Sequence, residues 1–157
     1  MVEIERKYLV NGLGYRKEAR AHIRIVQAFL STDPDRTIRV RCTGPHGFLT
    51  IKGRTCDKGT TRREWEYEIP LKDAEEMLAL CVTPPIEKIR YQVEFGLHTF
   101  EVDEFTGLNQ GLTLAEVELE SADEVIEKPS WLGQEVTGDI RYYNSQLSLK
   151  PYTTWND

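Results

Sequence analysis

Near the amino terminus Glu3, Glu5 and Lys7 recur at every second residue in VEIERKYLV, and Glu116, Glu118 and Glu120 do the same in AEVELE. On a strand this spacing puts each set on one face. Carboxylates clustered on strands that can neighbour one another offer the oxygen ligands that Mg²⁺ and Mn²⁺ prefer. Other segments carry the opposite charge: Arg39 and Arg41 in TIRVR, Lys52 in FLTIK, and Lys88 and Arg90 in IEKIRY. Such a cluster suits a multiply charged anion, with arginine matching phosphate oxygens bidentately. Glu64, Glu66 and Glu68 in REWEYEI, and Glu101 and Asp103 in FEVDEF, are again acidic. After the first strand each segment is nearly uniform in sign, and only Lys7 interrupts the acidic run of the first.

Taken alone, VEIERKYLV reads as the wet edge of a half-buried strand. Sorting by sign is not what a solvated face needs, because like charges two residues apart repel and mixed signs gain cross-strand pairing. The alternate positions hold Ile38, Val40, Trp65, Tyr67, Tyr91, Val93, Val102, Val117 and Leu119, a face fit to be covered. Two architectures are open. In one, the apolar faces form a core beneath helices and the charged face is wet. In the other, the sheet closes into a barrel with the charges inside and helices packed outside. A barrel lined in this way cannot be dry, since an unpaired buried ion costs several kcal/mol. It needs water and bound ions, and a metal-bound polyphosphate supplies both signs.

The elements that must position these residues are short and mostly extended. Alternating segments separated by turn signals predict about eight strands in a mostly antiparallel sheet. They are VEIERKYLV, RIVQAFLS, TIRVRCT, FLTIKG, REWEYEIPL, IEKIRYQVEF, HTFEVDEF and LTLAEVELES. STDPD, GPHG, CDKGTT and GLH read as turns. Helices are expected around YRKEARAH, over DAEEMLALC with Asp73 as its cap, over ADEVIEK, and near GDIRYYNSQLSLK after a WLGQ turn, where Ile140, Tyr143 and Leu147 share a face.

With 157 residues, 39% of them hydrophobic and 29% charged, the chain reads as one ordinary globular unit spanning 1–157. Its net charge of −6 argues against nucleic acid or an anionic membrane surface as partner. Cys42, Cys56 and Cys81 form no CxxC pair, so a reducing cytosol is expected, with the thiols as bystanders. His22, His46 and His98 are scattered, and none is assigned a site. Neither a signal segment nor a membrane-spanning run is expected.

VEIERKYLV resembles the ExExK signature of the CYTH superfamily, the triphosphate tunnel metalloenzymes. TIRVR, LTIKG, REWEYEIP, IEKIRY, FEVDEFTGLNQGL and AEVEL follow in the order that family shows, and WLGQEVTGDIRYYNSQL is similar to its C-terminal helix. The resemblance covers essentially the whole chain. It implies an α+β fold, an eight-stranded antiparallel β-barrel with a charged interior, covered outside by a few helices.

Carried over residue by residue, the resemblance makes Glu3, Glu5, Glu116 and Glu118 metal ligands for Mg²⁺ or Mn²⁺. Lys7, Arg39, Arg41, Lys52, Lys88 and Arg90 become a triphosphate clamp, and Asp103, Glu64 and Glu66 further acidic groups at the reacting centre. Arg141, on the final helix, could plug one mouth and touch phosphate, but a surface ion pair is the expected reading. Many cyclase and thiamine triphosphatase members carry a Tyr-Phe-Asp stretch after the first helix, where this chain has QAFLSTDPDRTIRVR, closer to the bacterial tripolyphosphatase-like branch. The expected activity is metal-dependent hydrolysis of inorganic tripolyphosphate, with nucleoside triphosphates as poorer substrates. A cyclase making cyclic AMP from ATP and a non-catalytic polyphosphate-binding module are the alternatives. A homodimer stays open, since apolar surface outside a barrel can mate two copies.

Overall fold

The computed structural model of the chain describes residues 2–155. Nine strands form one antiparallel sheet: β1 (Val2–Val10), β2 (Ala21–Ser31), β3 (Arg36–Thr43), β4 (His46–Cys56), β5 (Thr61–Ile69), β6 (Ile86–Phe95), β7 (His98–Phe105), β8 (Thr113–Glu118) and β9 (Leu132–Glu135). Three short helices accompany them, α1 (Tyr15–Glu18), α2 (Leu71–Leu78) and α3 (Asn144–Leu149). The strand order is β5-β4-β3-β2-β6-β7-β8-β1, and β1 returns to β5, so eight strands close into the expected barrel and β9 is an addition. β1 is the seam. One of its edges takes β8 from Glu5 to Leu9, while the other is shared between β5 at Val2–Ile4 and β9 at Tyr8 and Val10.

Register decides which side chains face inward. Glu5 lies across from Glu118 and Lys7 across from Glu116, so the β1 and β8 charges share a face. Lys52 lies across from Glu64, Thr37 across from Lys52, and Arg90 across from Asp103. The other face is apolar and covered on one side: Tyr8, Val93, Phe100, Val102, Ala115 and Val117 pack beneath Tyr15 of α1 and beneath Ile126 and Trp131. Tyr15 meets the rings of Tyr91 and Trp131 edge-on at 5.4 and 6.0 Å. α2 lies over β3 and β4.

A second cluster plugs one end of the barrel. Phe29, Ile86, Phe105 and Leu114 come from the strands and meet Val136, Tyr142 and Leu147 from the C-terminal segment. The turn between β4 and β5 leans on this plug through two glycines. A Cβ on Gly59 would stand 2.3 Å from the Cα of Gly138, and one on Gly138 would stand 2.5 Å from the Lys58 carbonyl oxygen. Both glycines also have φ in the left-handed region, at +91° and +80°.

Several local expectations are corrected. ADEVIEK is not helical, and its Glu124 carboxylate instead accepts from the Glu120 amide and pairs with His98. The WLGQ segment contributes to β9, because the free edge of β1 gives it backbone partners. The C-terminal helix is broken: a 3-10 turn spans Ile140–Tyr142, Tyr143 is extended at ψ 135°, and α3 starts only at Asn144. Leu147 is therefore fully buried, whereas Ile140 is 54% exposed. Asp73 is not a cap but sits in the first turn of α2, which begins after Pro70. The first helix ends at Glu18, and Ala21 and His22 already belong to β2. Trp65 and Tyr67 do point outward from the barrel, yet among the described residues no helix covers β5 and both are exposed. Among the described residues no helix is long and apolar enough to cross a membrane.

The plug gives a contrast that the sequence periodicity does not. Leu147→Ala should cost about 2–5 kcal/mol in urea unfolding, the range for a truncated core leucine. Ile140→Ala on the same nominal face should stay within about 0.5 kcal/mol of the parent.

Candidate active site in a charged tunnel

Inside the barrel the inward-facing rows enclose a cavity of about 240 Å³. The acidic side of its wall comes from Glu3 and Glu5 of β1, Glu116 and Glu118 of β8, Glu64 and Glu66 of β5 and Glu101 of β7. The basic side comes from Lys7, Arg39, Arg41, Lys52, Lys88 and Arg90, so seven strands converge on one space. Every residue expected at the site borders this cavity except Asp103.

Asp103 lies behind the wall. Arg90 grips it bidentately, Nε to Oδ1 at 2.8 Å and Nη2 to Oδ2 at 2.9 Å, and Lys88 Nζ reaches Oδ2 at 2.8 Å. The side chains of Lys88 and Asp103 are each 1% exposed. Three charge-assisted contacts occupy its two oxygens, and the buried side chain does not line the cavity. Asp103 therefore does not border the cavity with the other expected residues but lies beneath Lys88 and Arg90, paired with both. Burial works against its charge, but Arg90 and Lys88 hold its carboxyl below the usual range. Burial also pushes the Lys88 ammonium down to about 8, despite the attraction of Asp103.

The cations at the centre of the cavity are under-compensated. Arg39 Nη2 approaches Glu66 at 3.3 Å and Arg41 Nη2 approaches the same oxygen at 3.6 Å, so two guanidiniums share one carboxylate atom. The Nε atoms of both arginines are buried without a hydrogen-bond partner. Burial, with Arg39 and Arg90 nearby, pushes the Arg41 guanidinium down to about 9. A guanidinium stays charged in practice, so the cost is carried as unfavourable electrostatics until an anion enters. Lys52 is better placed, with Glu3 at 3.0 Å and Glu64 at 3.4 Å.

The carboxylates show the mirror image. Burial, then Glu116 and Glu3, push the Glu5 carboxyl well up. Glu116 is equally buried, but Lys7, the hydrogen bond with Glu5, Arg90 and Lys88 hold its carboxyl well down. Among the described residues no three acidic, histidine or cysteine side chains converge as a finished metal cage. The donors are all oxygens and crowd one another electrostatically, which fits a hard divalent cation.

Two features of the site lie outside the sequence-derived set. Arg62 shares the inward row of β5 with Glu64 and Glu66 and lies across from Glu3, so strand parity alone marks it. Tyr143 and Asn144 reach the cavity from the plug, and no periodic signal announces them, because they sit where the helix breaks. Arg141 is paired with Asp139 on the surface as expected, at 2.8 Å.

Comparison with known proteins places these features in a wider set. The CYTH domain profile matches residues 1–148. An inorganic triphosphatase of Acetivibrio thermocellus is 45% identical over 156 residues, which is 99% of this chain and 98% of that protein. An inorganic triphosphatase of Nitrosomonas europaea is 34% identical over 154 residues, covering 95% and 98%. The crystal structure of an inorganic triphosphatase matches with a TM-score of 0.66 at 32% identity, over 94% of this chain and 97% of that one.

The two kinds of buried ion should respond oppositely to removal. Asp103→Asn strands Lys88 and Arg90 and should cost about 3–5 kcal/mol in denaturant unfolding. Arg41→Met removes an under-compensated cation, so the melting midpoint of the substrate-free protein should stay level or rise while tripolyphosphate binding falls.

Proposed function

The chain belongs to the CYTH domain family, and from that membership we propose that its tunnel hydrolyses inorganic triphosphate, with nucleoside triphosphates as poorer substrates. One observation carries the reading of the substrate: Arg39 and Arg41 share a single carboxylate oxygen and keep buried Nε donors that have no hydrogen-bond partner among the described residues. A string of phosphates satisfies both the charge and the donors. A single weak anion would leave most of the clamp unused.

In this reading Lys7, Arg39, Arg41, Lys52, Lys88 and Arg90 bind phosphate oxygens along the cavity, with Asp103 holding Lys88 and Arg90 in position. Water attacks a terminal phosphorus, the anhydride P–O bond breaks, and the products are orthophosphate and pyrophosphate. The basic cluster stabilises charge on the leaving pyrophosphate. Glu64 lines the cavity, and burial together with Glu3 raises its carboxyl, which suits it to take the proton of the attacking water. Glu66 holds the two arginines against each other's repulsion. Glu3, Glu5, Glu116 and Glu118 are the residues that would hold Mg²⁺ or Mn²⁺. When bound, such an ion offsets phosphate charge and aligns the chain for in-line attack.

No covalent nucleophile is needed, and the thiols of Cys42, Cys56 and Cys81 are free. Free thiols are consistent with the cytoplasm as the working compartment. We read 1–157 as one tunnel unit acting on a small molecule, with neither nucleic acid nor membrane as partner. Whether it pairs into homodimers is a matter for sedimentation.

A substrate panel with and without Mg²⁺ or Mn²⁺ tests the proposal. Phosphate should be released from tripolyphosphate only with metal, and Glu3→Gln or Glu118→Gln should lower the rate by about two orders of magnitude or more. Unchanged release in both variants would overturn the metal assignment. Cyclic AMP from ATP, seen by chromatography, would replace the hydrolase by a cyclase. Binding that Arg39→Ala abolishes, with no turnover under any metal, would leave a binding module.

A further inference from the structure

Seven cations border the cavity, and five of them have a carboxylate within 4.0 Å: Arg39 and Arg41 share Glu66, Lys52 has Glu3 and Glu64, and Lys88 and Arg90 have Asp103. Among the described residues Lys7 and Arg62 have none. Arg62 lies across from Glu3, the natural candidate, but that carboxylate is held by Lys52 at 3.0 Å. Its Nε donates to the Gly53 carbonyl at 3.2 Å, which fixes the guanidinium and leaves the two terminal nitrogens without a protein acceptor.

The two unpaired cations meet at one side chain. Tyr143, in the break between the 3-10 turn and α3, has the Lys7 ammonium 5.2 Å and the Arg62 guanidinium 5.7 Å from its ring centroid. Lys7 Nζ is tied to the same segment by a 3.2 Å bond to the Tyr142 carbonyl. An aromatic face attracts and orients cations without neutralising them. Both charges thus remain available at the plugged end of the cavity, positioned by the plug itself.

We infer that Arg62 is a further substrate-binding residue, which joins Lys7 in a subsite for an end phosphate of the triphosphate, and that Tyr143 is the positioning residue that aims both. An end phosphate carries the highest charge density of the chain, and a fixed guanidinium beside an ammonium complements it. Tyr143 brings the C-terminal plug into substrate recognition, so the segment that seals the barrel also shapes its phosphate floor. The inference rests on the triphosphate reading of the tunnel, and binding and turnover separate the two.

The test is calorimetric titration of the full chain with tripolyphosphate, alongside melting curves and phosphate release. Arg62→Gln should weaken binding about tenfold, the loss expected for a charge-assisted contact, without lowering the melting midpoint. Arg62→Lys should recover part of that affinity. Tyr143→Leu should weaken binding in the same direction, Tyr143→Phe should restore it, and Tyr143→Leu combined with Arg62→Gln should be less than additive. Binding by Arg62→Gln within about twofold of the parent, or full additivity, would overturn the inference. If the parent binds tripolyphosphate but releases no phosphate, the hydrolase reading fails, while the titrations still decide the subsite.

Discussion

Three residue pairs hold the barrel shut: Val2 with Arg63, Glu3 with Arg62, and Ile4 with Thr61. Everything inside depends on that seam. Without it the sheet is open, and its charged face is the solvated surface that VEIERKYLV suggests when read alone. With it, like charges that water would have screened face each other across a narrow space, and each must find a partner or wait for one. The sorting of sign by strand is what makes closure tolerable, because basic β3 and β6 flank β2 and acidic β8 faces Lys7 of β1. The same sorting leaves an imbalance at Arg39 and Arg41, where two guanidiniums share one carboxylate atom. That deficit is what the proposed triphosphate would relieve.

Much of this was legible in the sequence, for a simple reason. Strand parity is a strict period of two, so once Glu3, Glu5, Arg39, Arg41, Lys52 and the rest are seen to alternate with apolar residues, their common face follows. The same parity included Arg62, though it is easily passed over as the lone cation of an acidic row. What parity does not reveal is depth. Asp103 and Glu101 alternate identically, yet one is locked behind the wall by Lys88 and Arg90 while the other lines the cavity. Only packing between neighbouring strands separates them.

Helical periodicity was a poorer guide at the C terminus. Ile140, Tyr143 and Leu147 fit one face of a helix, but the chain must cap the barrel, and a continuous helix there would not send Tyr143 into the cavity and Leu147 into the plug together. The extended Tyr143 reconciles both demands. Likewise, Trp65 and Tyr67 read as covered because they are large and apolar, but α2 lies over β3 and β4 and leaves β5 bare. Size and hydropathy identify a side chain fit for burial. They do not supply the element that would bury it.

β1 lies far in sequence from two of its three partners. β1 pairs with β8 and β9, more than a hundred residues downstream. A folding chain in which those pairs have not yet formed therefore carries Glu3, Glu5 and Lys7 on a strand with an open edge. Long-range pairing of this kind is slow. The acidic pattern that serves the finished cavity also protects the waiting strand, since a charged edge is a poor template for pairing with another chain. The charges that line the finished cavity thus disfavour pairing between copies while β1 waits for β8.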